Sequence, residues 1–215
     1  MKFIFLHGLG QTSSAWDEIV GHIGQDRCEA VSLYNELTAD QDLTIERLDQ
    51  KLTDYLAAIR EPFILCGLSL GGILALRYAA EQHTMLKGLI LSGTQYQIAS
   101  SPLFTFQNMI FRILPQKMFT RMGLTKAQAL QLMRSLHTLD MHKQLASIQI
   151  PTLVLCGERD KPNKKAAIEL STNIPNAKLE LIAGGGHELN TELPEVFSEA
   201  IEQFMTVSFY SKETV

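Results

Sequence analysis

The sequence predicts an α/β fold: a three-layer sandwich with a mostly parallel sheet of about six strands between helices. Short apolar runs bounded by Gly, Pro or Asn recur along the chain, and such runs suit strands buried on both faces. Longer stretches with helical spacing separate them, which implies βαβ units. The 215 residues, 46% hydrophobic and 20% charged, are enough for one domain with a sizeable core.

In chain order, strands are expected at 2–6 (KFIFL), 28–33 (CEAVSL), 62–66 (PFILC), 86–92 (LKGLILS), 151–156 (PTLVLC) and 178–182 (KLELI). Residues 43–60 place Leu48, Leu52, Tyr55, Leu56 and Ile59 on one stripe, with Glu46, Asp49, Lys51 and Asp54 off it. Further helices are expected at 70–82, 163–173 and 194–205, the last opening on Pro194 and carrying Val196, Phe197, Ala200, Ile201 and Phe204 inward. From about 95 to 147 the rhythm breaks. That segment holds no convincing strand, is rich in Phe and Met, and is interrupted by Pro102, Pro115 and Gly123. It reads as several short helices inserted between two strands. The polar end, SKETV, is expected to fray.

Composition narrows the function. A net charge of −4 without a basic cluster gives no reason to expect nucleic acid or an acidic membrane as partner. Cys28, Cys66 and Cys156 lack CxxC spacing and read as small buried hydrophobes, so neither a disulfide framework nor a metal site is expected. The opening MKFIFLHGLG has an apolar run too short for a signal peptide, and no stretch is long enough to span a bilayer. A cytoplasmic, reduced setting is the expectation.

Residues 63–74 read FILCGLSLGGIL. Gly67-Leu68-Ser69-Leu70-Gly71 fits G-x-S-x-G and lies between a strand-like and a helix-like run, the setting this motif requires. A sharp turn there strains Ser69 and presses the residues two away against it, which glycine at 67 and 71 accommodates. The alternative is a glycine turn with an incidental serine.

A serine hydroxyl needs a base to take its proton. His187, in Gly184-Gly185-Gly186-His187-Glu188, follows the last strand on a loop able to reach across the top of a sheet. His22 and His83 sit in helical patterns, His137 and His142 in the insertion, and His7 beside a different turn. The base in turn needs a carboxylate to fix its tautomer. Asp160 follows the strand at 151–156; it could instead cap the next helix, and Glu158 competes with it. Ser69, Asp160 and His187 stand in the order found when such a triad is built on an α/β sheet. Backbone donors for an oxyanion would be Leu70, directly after the serine, and Leu9 in the His7-Gly8-Leu9-Gly10 turn.

With HGLG at 7–10, GLSLGG at 67–72, GERD at 157–160 and GGGH at 184–187, the chain resembles the α/β-hydrolase superfamily over almost its whole length. The resemblance implies one domain over 1–215, with a helical cap inserted at about 95–147. It implies Ser69 as nucleophile, Asp160 as acid, His187 as base, and Leu9 and Leu70 as oxyanion donors. Trp16 matches an aromatic often found after the HG loop, where packing is the simpler role. The usual N-terminal antiparallel hairpin is not expected before the strand bearing HG, and one sheet edge is then expected to be covered or paired in a dimer.

The reading is a serine hydrolase acting on a small, apolar carboxylic ester, without metal or organic cofactor, as monomer or homodimer. Phe104, Met109, Phe111, Met118 and Met122 would line an adaptable apolar pocket or simply pack the cap onto the core. Arg112, Arg121 and Arg134 could receive a substrate carboxylate or remain solvated. The same residues also serve lactonases, C–C bond hydrolases, thioesterases and menaquinone-pathway lyases. Some relatives use this fold to sense small molecules or in stress signalling.

Overall fold

The computed structural model describes residues 1–34, 37–38, 40–98, 109–121 and 123–210. Six strands form one sheet: β1 (Lys2–Leu6), β2 (Cys28–Val31), β3 (Phe63–Leu68), β4 (Leu86–Ser92), β5 (Thr152–Gly157) and β6 (Ala177–Ile182). Their order is β2-β1-β3-β4-β5-β6, and every pair is parallel. The helices named below are α1 (Asp17–Ile23), α2 (Ile45–Ala57), α3 (Leu70–Ala80), α4 (Gln116–Arg121), α5 (Lys126–Leu136), α6 (Lys161–Asn173), α7 (Leu189–Glu192) and α8 (Pro194–Met205).

Strand alternation divides the core into two layers. Phe3, Phe5, Ile64, Cys66, Leu68 and Ile90 face Ile19 of α1 and Phe197, Ala200 and Ile201 of α8. Ile4, Leu6, Leu65, Leu89 and Leu91 face Leu48 and Leu52 of α2, Leu74 of α3 and Leu170 of α6. Each fully buried side chain of this size contributes about 1.5–3 kcal/mol. The continuous apolar strand runs follow from burial on both faces.

Local chemistry sets the boundaries. Thr44 caps α2 by accepting from Arg47 N–H at 3.3 Å, and Thr125 with Gln128 forms a capping box at α5. The second strand stops at Val31 rather than 33. The N–H of Leu33 donates to His7 Nε2 at 3.1 Å, which turns the chain off the sheet edge. Helix α6 starts at Lys161, with Pro162 inside its first turn, where a missing N–H is harmless.

Between β4 and β5 the described residues are mostly helical. The two legs of this insertion pair: Ile98 N–H donates to Leu139 O and Met141 N–H to Tyr96 O, both at 2.9 Å. Helix α5 then docks on the loop before α2. Gln128 Nε2 donates to the carbonyls of Thr38 and Gln41 at 2.9 and 3.0 Å, and Ser135 Oγ accepts from Ile45 N–H at 2.9 Å.

Candidate active site

The chain passes from β1 to β2 on one side, then to β3 on the other side of β1. The loops after β1 and β3 therefore diverge from a topological switch point, where parallel sheets open a crevice at their C-terminal ends. HGLG and GLSLGG occupy those two loops.

Ser69 stands between β3 and α3 with φ 51° and ψ −110°, a backbone strained for any side chain. A Cβ on Gly67 would overlap the Gly71 carbonyl, and one on Gly71 would overlap the backbone of Leu6. The turn is therefore closed against its own helix and against β1. Gly8 lies alongside: a Cβ there would be 3.6 Å from the Ser69 Cβ. Neither Leu9 nor Leu70 N–H has a protein acceptor among the described residues. Leu70 opens α3, where free N–H groups and the helix dipole favour an anion.

His187 Nδ1 is 2.8 Å from Asp160 Oδ2, with the carboxylate buried and the ring partly exposed. The hydrogen bond that Nδ1–H donates to Asp160 is the main reason that the imidazole pKa lies above its ordinary value; burial opposes it, and the charges of Asp160, Glu188 and Glu192 add to it. Ser69 meets this pair through β4. Its N–H donates to Ser92 O at 2.8 Å, and the next residue, Gly93, packs against the ring. A Cβ on Gly93 would be 2.9 Å from His187 Nδ1. Among the described residues no hydrogen bond joins Ser69 Oγ to His187; bonds of this kind often tighten only with substrate bound.

Glu158, the competing carboxylate, is exposed and accepts from Gly184 N–H at 3.3 Å, away from the ring. His7 is fully buried. Nδ1 donates to Gly8 O at 2.9 Å and Nε2 accepts from Leu33 N–H, so one neutral tautomer satisfies both, and burial lowers its pKa. Trp16 is core, 4.9 Å from Phe5 and 5.6 Å from Phe197 between ring centroids.

Of the residues read as pocket lining, Phe111 is buried edge-to-face on Phe119 at 5.6 Å. Met109 and Met118 are exposed, as are Arg112, Arg121 and Arg134. Phe104 and Met122 lie outside the described residues. No three His, Cys, Asp or Glu residues among those described could hold a metal ion. No described helix is long and apolar enough to cross a membrane.

Supporting residues carry no sequence motif of their own. Gln11 Oε1 accepts from Gly8 N–H at 3.3 Å, and its amide pairs reciprocally with buried Asn190 at 3.2 Å. Glu192 accepts from Gly186 N–H at 2.9 Å, from Glu188 N–H at 3.2 Å and from Arg159 at 3.1 Å, bracketing His187. Asn163 donates to both oxygens of Asp160. An amide or carboxylate a few residues past each motif was the only signal available.

A wholly parallel sheet, a strained serine elbow and an acid–histidine pair at its C-terminal edge have the architecture of an α/β hydrolase. The chain belongs to the alpha/beta hydrolase family, whose model matches residues 3–200. It is 25% identical to a putative 2-succinyl-6-hydroxy-2,4-cyclohexadiene-1-carboxylate synthase of Haemophilus influenzae, over 94% of this chain and 96% of that one. It is 24% identical to a pimeloyl-[acyl-carrier protein] methyl ester esterase of Nitrosomonas europaea, over 90% and 91%. A 93-residue stretch is 36% identical to polyketide synthase ThaQ of Burkholderia thailandensis; it spans 43% of this chain and only 4% of that protein. Among solved structures, MenH from S. aureus superposes with a TM-score of 0.81 at 21% identity, covering 97% of this chain and 94% of that one. That likeness concerns the fold.

Proposed function

We propose that the chain is a serine hydrolase that cleaves a small, apolar carboxylic ester through an acyl-enzyme. The observation carrying this reading is the 2.8 Å contact between His187 Nδ1 and Asp160, on the sheet edge where Ser69 is held at positive φ. Nδ1–H donation to the carboxylate leaves Nε2 free to act as base. Ser69 Oγ attacks the carbonyl carbon while Nε2 takes its proton. The oxyanion accepts from Leu9 and Leu70 N–H. The tetrahedral intermediate collapses, and His187 passes the proton to the departing alcohol. Water, deprotonated by His187, attacks the acyl carbon; release of the acid returns the proton to Ser69. The esterase relative from Nitrosomonas europaea supports this chemistry.

A second reading keeps the three residues and changes the reaction, because the synthase relative matches along nearly the whole chain. There the base would remove a substrate proton and no acyl-enzyme would form. A panel of p-nitrophenyl esters from acetate to long chains, run beside Ser69→Ala, tests the first reading. Turnover is expected for short or medium chains and none for the variant. Hydrolysis surviving in Ser69→Ala would remove the nucleophile. Inert wild type that is still labelled at Ser69 by a phosphonate would favour the second reading.

A further inference from the structure

The geometry points to Asn163 and Gln95 as positioning residues that hold and orient the Asp160 carboxylate. The inference rests on the reading of Asp160 and His187 as acid and base. Asp160 is buried, so its carboxylate depends on protein donors rather than water. His187 supplies one through Nδ1–H. Asn163, one turn into α6 and also buried, brings its amide nitrogen to 2.8 Å from Oδ1 and 3.0 Å from Oδ2. The same nitrogen is 3.1 Å from His187 Nδ1. With Asp160 ionised, both nitrogens are donors, so the two amide hydrogens converge on the carboxylate.

The amide must face the right way to do this. Turned over, Asn163 would present Oδ1 to a carboxylate oxygen. Gln95 prevents the turn: its Nε2 donates to Asn163 Oδ1 at 2.8 Å, with a weaker contact to Pro162 O at 3.4 Å. Donors therefore run in one direction, from Gln95 to Asn163 to Asp160. A neutral donor stabilises the anion without cancelling its charge, which leaves that charge for the imidazolium formed during turnover. Lysine at 163 would neutralise it.

Gln95 also stands at the base of the insertion. Gly93, two residues before it, packs against His187. Gln97, two residues after it, bridges to Asp140 in the other leg and donates to its carboxylate at 3.1 Å. The insertion's first leg is thus tied to the acid of the pair by a hydrogen-bonded chain.

The polarity of the relay gives a test that simple packing would not pass. Gln95→Glu preserves shape but offers only acceptors when ionised, so it would bind the Asn163 NH2 and turn Oδ1 toward Asp160. Gln95→Leu only loosens the amide. Gln95→Glu is expected to lower kcat about tenfold with KM little changed, and Gln95→Leu to lower it less. Asn163→Leu should match or exceed Gln95→Glu, and Asn163→Ser, which keeps one donor, should recover part of the loss. In Asn163→Leu the less stabilised carboxylate holds the Nδ1 proton more tightly. The acid limb of kcat/KM therefore moves to higher pH, and the low-field Nδ1–H proton resonance shifts. Inactivation by a phosphonate at Ser69 gives the same ranking without a known substrate.

If Asn163→Leu fails to fold, the Gln95 pair carries the test. Wild-type kinetics in Gln95→Glu, or a Gln95→Leu more damaging than Gln95→Glu, would overturn the inference. Ser69→Ala, run alongside, separates the two failures: activity retained there sinks the triad reading itself.

Discussion

Gln11 and Asn190 exchange a reciprocal pair of buried amide hydrogen bonds across 179 residues of sequence. Gln11 also accepts from Gly8 N–H, and Asn190 Nδ2 donates to Ala15 O at 3.1 Å. One pair of side chains thus ties the turn bearing Leu9 to the helix that follows His187. Replacing Asn190 by Leu strands a buried amide, at a cost of about 1–3 kcal/mol. A lower denaturation midpoint and a fall in kcat are the expected outcome in Asn190→Leu. Unchanged values in both would show that the pair fixes nothing.

The strain at Ser69 has an opposite consequence for stability. Its φ of 51° suits glycine, and relief of such strain is worth about 1–3 kcal/mol. Ser69→Gly should therefore have a higher thermal midpoint than Ser69→Ala while being equally inactive. Calorimetry on the two variants checks this, and an Ala variant as stable as the Gly variant would deny the strain.

The elbow glycines should not tolerate even one methyl. In Gly67→Ala the new carbon meets backbone that cannot move aside. Overpacking of this kind costs about 1–3 kcal/mol, more where backbone is the obstacle. Urea denaturation should show a lowered midpoint in Gly67→Ala, whereas Gly21→Ala, in open space inside α1, should raise it modestly through helix propensity. Equal midpoints would contradict the packing.

His187 carries a pKa above the ordinary 6.5, chiefly through its bond to Asp160. As base it works unprotonated, so kcat/KM should rise with pH along a limb centred above about 6.5. Asp160→Asn removes that cause and should move the limb down. Stability runs the other way. A raised folded pKa gives a contribution that is complete below the unfolded pKa and is lost as pH rises through the folded one. The stability gap between wild type and His187→Ala should shrink as pH rises from below the ordinary value of about 6.5 through the raised folded pKa. A gap that widens would reverse the assigned sign.

Much of the fold was legible because strands and longer helices carry their own periodicity. All six strand positions follow from apolar runs, and α2 and α8 from their stripes. The short helices α1 and α7 hold too few turns for a period to register. The end of β2 could not be read, because the His7 ring that ends it lies 26 residues from Leu33. At the candidate site, Asp160 and His187 were legible as residues after strands, and the structure joins them directly. Asn163, Gln95, Gln11, Asn190 and Glu192 were not, since amides and carboxylates in loops have no spacing rule.

The sequence by itself determined the order of strands along the chain and the chemistry at each loop: a glycine-flanked serine, an aspartate, a histidine. It did so because apolar periodicity and glycine turns are local properties. Tertiary structure alone decided the sheet order, which puts β3 beside β1 and so sets Gly8 against Ser69. It also decided which polar side chains hold the acid, the histidine loop and the HGLG turn. Gln11, Asn163 and Glu192 stand close in sequence to the turns they hold, but each is fixed by a distant partner, Asn190, Gln95 and Arg159, which meets it only once the sheet has brought those loops to one edge.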